Sequence, residues 1–136
     1  MKIVLISCVS KKLSHPAQAK DLYCSPLFKY SLAYAKQLNP DKLFILSALH
    51  GLIPLEKEIE PYNSTLKAMN SQERKDWAAQ ILCTLQKEID LRTDEVVFLA
   101  GNTYRQHLLP HITHYTIPLQ GLGIGRQLKF LKEHTT

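Results

Sequence analysis

The sequence predicts an α/β protein built on a mainly parallel sheet with helices on both faces. Two observations carry that expectation. The apolar runs are short, rich in Ile, Val, Leu and Phe, and scarcely alternate with polar residues, as expected of strands covered on both faces. Strand and helix patterns then alternate four times along the 136 residues, which is the signature of parallel strands joined by crossover helices. The length suits one domain spanning 1–136, and no repeat, low-complexity tract or linker divides it.

Residues 2–7 form the first expected strand, and a polar loop runs from Cys8 to about Tyr23. Ser25-Pro26 opens a helix, with Ser as N-cap and Pro at the first helical position. Leu27, Tyr30, Tyr34 and Leu38 give that helix an apolar face, and Asn39-Pro40 ends it. Lys42–Ser47 is the second strand; Ala48–Leu52 and a long loop through Pro61-Tyr62-Asn63 follow. Asn70 and Glu73 have the spacing of a capping box. The helix they introduce carries Trp77, Ile81 and Leu85 at intervals of four and ends near Asp90. Glu95–Ala100 is the third strand, Gly101-Asn102 turns the chain, and Tyr104 to about Leu109 is a short helix stopped by Pro110. His114–Pro118 is the fourth strand, and Arg126–Glu133 the last helix.

Composition narrows the partners. The formal charge is +5 and the pI near 9.1, a balance that favours an anionic ligand, a nucleotide or a nucleic acid. No apolar run approaches the ~20 residues of a membrane span, so no membrane partner is expected. The apolar run at the start is too short for a secretory core and reads as a strand. Three cysteines without CxxC spacing argue against a disulfide framework and a thiolate zinc site, and fit a cytoplasmic location. Neither a metal nor a cofactor is expected, and the oligomeric state is left open.

In sheets of this kind, ligands bind beyond the carboxyl ends of the strands. Polar or glycine-bearing segments follow Ser7, Ser47, Ala100 and Pro118, so all four fall at one edge. After the first strand, Ser10 and Lys11 are candidate anion-binding groups, and Cys8 is either a nucleophile activated by a neighbouring lysine or a small core residue. Tyr23 is either a helix staple or a ring for a base to stack on. After the second strand, His50 is the best candidate for proton transfer, and Gly51 suits a position needing φ > 0. Tyr62 walls a pocket or pins its loop. Asn102 and Arg105 open a helix where they can meet an anion or a base edge, with Tyr104 between them. Finally Gly121, Gly123, Gly125 and Gln127 precede the last helix, where backbone N–H groups can approach a phosphate. Their spacing is neither GxGxxG nor GxxxxGK[ST], so neither a dinucleotide fold nor a P-loop is indicated.

The set Ile6-Ser-Cys8…Lys11, Asp21-Leu-Tyr23-Cys-Ser25-Pro-Leu-Phe28, Leu46-Ser-Ala-Leu-His-Gly-Leu52, Pro61-Tyr62, Gly101-x-x-Tyr-Arg105 and Pro118-Leu-x-Gly-Leu-Gly-Ile-Gly-x-Gln-Leu128 resembles a small family of unknown function found in bacteria and their phages. More distantly, that family is similar to the peroxide-stress protein YaaA and the uracil-DNA glycosylase-like superfamily. The resemblance implies a three-layer α/β/α sandwich with a four-stranded, mainly parallel sheet in the order 2-1-3-4, and nucleobases or nucleic acid as ligands. Glycosylases of that superfamily carry an Asp-Pro-Tyr-type motif early and a His-Pro-Ser-type motif late. Here Pro61-Tyr62 follows Glu60, and His15-Pro16 lies near the start, so the water-activating acid and late histidine do not transfer.

The functional expectation is a domain that processes a nucleobase, nucleotide or nucleic acid, in its most concrete form acting on an N-glycosidic bond or a modified base. His50, Cys8 and Tyr104 are its catalytic candidates. The alternative is a non-catalytic DNA- or RNA-binding, or nucleotide-sensing, module.

Overall fold

The computed structural model describes residues 1–9 and 11–135. In chain order the elements are β1 (Lys2–Ser7), β2 (Ala17–Gln18), α1 (Ala19–Leu22), α2 (Pro26–Gln37), β3 (Lys42–Ser47), β4 (Gly51–Pro54) and β5 (Glu58–Ile59). They continue as α3 (Ser71–Glu88), β6 (Glu95–Leu99), α4 (Asn102–Arg105), β7 (His114–Thr116) and α5 (Ile124–Thr135). Among the described residues, no helix is long and apolar enough to cross a membrane.

The main sheet has five strands in the order β4-β3-β1-β6-β7. This corrects the expected four-stranded sheet and its order 2-1-3-4. The pairs of β1 with β3, β1 with β6 and β6 with β7 are parallel. The added strand, β4, runs antiparallel to β3, joined through the Ser47↔Gly51 pair. Its brevity and its Gly and Pro ends hide it in the sequence. Pro54 is tolerated because β4 lies at the sheet edge, where a missing N–H breaks no ladder. Gly51 is needed for the reversal: its φ is +72°, and a Cβ there would sit at ordinary contact distance, 3.7 Å, from Ile81. The constraint is therefore the backbone angle, not space.

Successive side chains of a strand point to opposite faces, and β1 divides its apolar run accordingly. Ile3 and Leu5 join one core with Trp77, Ala78, Ile81 and Leu85 of α3. Val4 and Ile6 join another with Leu22, Tyr23, Phe28 and Ala35. Helix α3 thus covers one face and α2 the other. The buried stripe of α2 is Phe28, Ser31 and Ala35, whereas Leu27, Tyr30, Tyr34 and Leu38 are only half-buried. The expected apolar face is displaced because α2 has two neighbours. Its far side meets α5, where Tyr34 packs edge-on against Phe130 at 5.6 Å between ring centroids.

The expected loop from Cys8 to Tyr23 holds structure of its own. β2 pairs antiparallel with β5, Ala17 opposite Ile59, and the backbone N–H groups of Ala19 and Lys20 donate to the carbonyls of Lys57 and Leu55 at 2.8 and 2.9 Å. A further bridge links Lys12 to Tyr23. These bonds fold the two long connections onto each other and set Lys12, Tyr23 and Tyr62 side by side.

Candidate functional site

A pocket of about 420 Å³ opens at the carboxyl ends of β1 and β6, within the size range of small-molecule sites. Leu27 and Phe28 of α2, Leu66, Leu99, Leu119 and Ile124 supply apolar walls. Its polar side chains are those of Ser7, Cys8, Ser31, Thr65, Lys67, Thr103, Tyr104, Arg105 and Gln127. Among the described lining residues there is no carboxylate, and both charged ones are cations.

Cys8 is buried, 7% exposed, and is held by the sheet: its N–H donates to the Leu46 carbonyl at 3.0 Å. Its Sγ hydrogen-bonds Tyr104 Oη at 3.1 Å. Tyr104 meets the ring of Trp77 edge-on at 5.8 Å, and the indole N–H donates to the Ser47 carbonyl at 2.9 Å. Arg105 Nη1 donates to the Ala100 carbonyl at 2.6 Å. That bond holds the guanidinium beside the pocket and uses one of its five N–H donors. Gln127 is held likewise, its Nε2 donating to the Leu122 carbonyl at 2.8 Å.

Next to Cys8 lies a chain of hydroxyls. Tyr23 Oη bonds Tyr62 Oη at 2.5 Å, and Tyr62 Oη bonds Ser47 Oγ at 2.7 Å. Ser47 Oγ also accepts the His50 backbone N–H at 3.0 Å. Lys12 Nζ stands 4.4 Å from the Tyr62 ring centroid, a cation–π distance. Burial pushes the Tyr23 hydroxyl up to about 12. Burial, and then the nearby Cys8, also raise Tyr62 and Tyr104. All three phenols therefore stay protonated at neutral pH and act through hydrogen bonds rather than charge. Burial lowers the pKa of Lys12, against an opposing effect from Cys8. Burial lowers that of His50 too, with Lys57 adding to it, so the imidazole is neutral at pH 7 and has the form of a base.

Of the expected site residues, Cys8, Tyr104, Arg105 and Gln127 are brought together in the pocket wall. Tyr23 and Tyr62 form the neighbouring hydroxyl chain, with the His50 ring edge-on to Tyr62 at 5.2 Å; none of these three lines the pocket. Lys11, Asn102, Gly121, Gly123 and Gly125 are exposed outside the lining. Gly121 has a local reason: its φ of +80° falls in the turn closed by Leu122 N–H to the Leu119 carbonyl, third position of a type II turn. Ser10 lies outside the described residues.

Sequence reading missed Ser31, Thr65, Lys67 and Thr103 of the pocket lining. For Ser31 a signal existed, a hydroxyl three residues after Phe28 and four before Ala35 on one helix face. For Thr65 and Lys67 there was none, since their place depends on how a long connection folds back. Among the described residues, no group of three or more His, Cys, Asp or Glu is placed to hold a metal ion.

The model of a family of unknown function (DUF6884) matches residues 3–133. The chain belongs to that family. The match runs from β1 to α5, so both sides of the pocket lie within it. No curated protein and no solved structure is similar enough to the chain to register as a match.

Proposed function

We propose that this member of the family processes a nucleobase-bearing ligand, either a nucleotide or a base within nucleic acid, held in the pocket between β1 and β6. One observation carries the reading: an apolar slot whose charged lining groups are Lys67 and Arg105, with no carboxylate among the described ones. Apolar walls suit the faces of a planar base. Two cations without a competing acid suit a phosphate, and arginine binds phosphate in a forked, bidentate way.

The catalytic form of the proposal is action on an N-glycosidic bond or a modified base. Cys8 is its nucleophile, forming a bond to the anomeric carbon as the bond to the base breaks; Tyr104 Oη orients the thiol, neutral His50 takes up the thiol proton and returns it to the departing base, and water hydrolyses the thioglycosyl intermediate. The distant kinship to the uracil-DNA glycosylase-like superfamily is part of the same proposal. It is supported by helices on both faces of a mostly parallel sheet, a three-layer arrangement, and by a pocket at the strands' carboxyl edge.

The test is to incubate the protein with nucleotides and with single- and double-stranded oligonucleotides, following binding by calorimetry and products by chromatography. Arg105→Ala is expected to weaken phosphate-bearing ligands by roughly tenfold or more, the loss typical of a charge-assisted bond. Cys8→Ala is expected to abolish turnover and preserve binding. Absence of binding to the whole panel sinks the reading; binding with no product at any substrate leaves the module without catalysis. That second reading is favoured by the +5 charge and by exposed Lys11 and Lys67. It predicts nucleic-acid affinity that falls steeply between about 50 and 200 mM salt.

A further inference from the structure

Ser31 occupies a core position that its chemistry does not suit. Phe28, Ser31 and Ala35 are the buried residues of α2, one stripe at helical spacing. Two polar residues are buried in the described chain, Ser47 at 0% and Ser31 at 5% exposure. The Ser47 hydroxyl is committed to Tyr62 and to the His50 N–H. The Ser31 hydroxyl bonds to no described residue. Two other helical hydroxyls turn back to the carbonyl four residues earlier, Thr84 to Gln80 at 3.1 Å and Thr135 to Leu131 at 2.7 Å. Ser31 makes no such bond to Leu27.

A polar group in an apolar stripe is unfavourable unless something bonds it. Among the described residues, every side-chain N or O atom that is fully shut away has a partner, so the Ser31 hydroxyl is open to a space. That space is the pocket, whose wall Ser31 forms with Leu27, Phe28 and Leu99. Both its donor and its acceptor capacity are available there.

We infer that Ser31 is the specificity residue of this pocket, hydrogen-bonding the polar edge of a planar base whose phosphate lies toward Arg105 and Lys67. The inference rests on the nucleotide reading of the pocket. The orientation follows from exposure: Ser31 is buried among apolar walls, whereas Lys67 is exposed and Arg105 half-buried. The base therefore enters first and the phosphate stays at the mouth. A ligand with a carbonyl oxygen or a ring nitrogen at its inner edge satisfies Ser31; one presenting only carbon there leaves it unpaired. Site-built hydrogen bonds of this kind discriminate more sharply than apolar contact does.

Calorimetry on the full chain tests this, using the four ribonucleoside 5′-monophosphates, ribose 5-phosphate and a single-stranded oligonucleotide as probes. The wild type should bind at least one base-bearing probe more tightly than ribose 5-phosphate. Ser31→Ala should weaken the preferred probe roughly tenfold, the scale of one buried hydrogen bond, and leave ribose 5-phosphate unchanged. Ser31→Cys, similar in shape but a weaker hydrogen-bonding group, should fall between. The melting temperature of the unliganded protein should hold or rise in Ser31→Ala, because alanine is the better helix former. A preference for monophosphates identifies a free nucleotide, and Ser31-dependent binding of the oligonucleotide alone identifies a base in nucleic acid; both support the role. Unchanged affinity in Ser31→Ala overturns the role and leaves the nucleotide reading standing. Failure of the wild type to bind any probe overturns both.

Discussion

Tyr62 links the two long connections chemically. Its hydroxyl bonds Tyr23 on one side and Ser47 on the other, and Tyr23 is 1% exposed. Tyr62→Phe keeps the ring but takes from the buried Tyr23 hydroxyl the partner the structure gives it. The expected loss is about 1–3 kcal/mol, the cost of leaving one buried polar group unsatisfied. Tyr23→Phe/Tyr62→Phe removes both members and should lose less than the sum of the single variants. Urea unfolding of the three variants checks this; additive losses would mean that the two hydroxyls do not act as a pair. Tyr23, Tyr62, Cys8 and Arg105 were all legible as chemically capable residues after strands or in loops. Which of them meet was not legible. The Tyr23–Tyr62 bond spans 39 residues and the Cys8–Tyr104 bond 96, and no local spacing encodes either.

At the scale of elements, the helices were readable where caps are written into the chain. Asn70 accepts the Glu73 N–H at 2.8 Å, and the Glu73 carboxylate accepts the Asn70 N–H at 3.1 Å, so the capping box forms as its spacing requires. Asn70→Ala should cost about 1 kcal/mol, within the usual range for an N-cap, with no change in ligand affinity, since neither residue lines the pocket. Urea denaturation gives the first quantity and calorimetry the second; an Asn70→Ala variant as stable as wild type would show that α3 is held by its packing alone. The short strands were not readable. β2 and β5 have two residues each, and β4 has four, too few for a period of two to stand out. They form because neighbouring segments offer unpaired N–H and C=O groups, and that depends on tertiary position.

On the scale of the molecule, the sheet separates two apolar cores, and Tyr104 packs against both. It does so at the carboxyl edge, where it also lines the pocket and bonds Cys8. A ligand that displaces the Tyr104 ring or breaks its bond to Cys8 therefore acts on the packing of α3, through the edge contact with Trp77. Trp77 is the single tryptophan, 7% exposed, with its N–H fixed on the Ser47 carbonyl. Its emission should be that of a buried indole in the free protein and should change in intensity as the pocket fills, saturating with the affinity measured by calorimetry. Tyr104→Leu removes the aromatic contact and should abolish most of that change while binding is still detected. Ser47 joins the same path from the other side, because its carbonyl holds Trp77 and its hydroxyl holds Tyr62. If a ligand binds by calorimetry and the Trp77 emission stays flat, it binds elsewhere than beside Tyr104, and the pocket loses its claim to be the site.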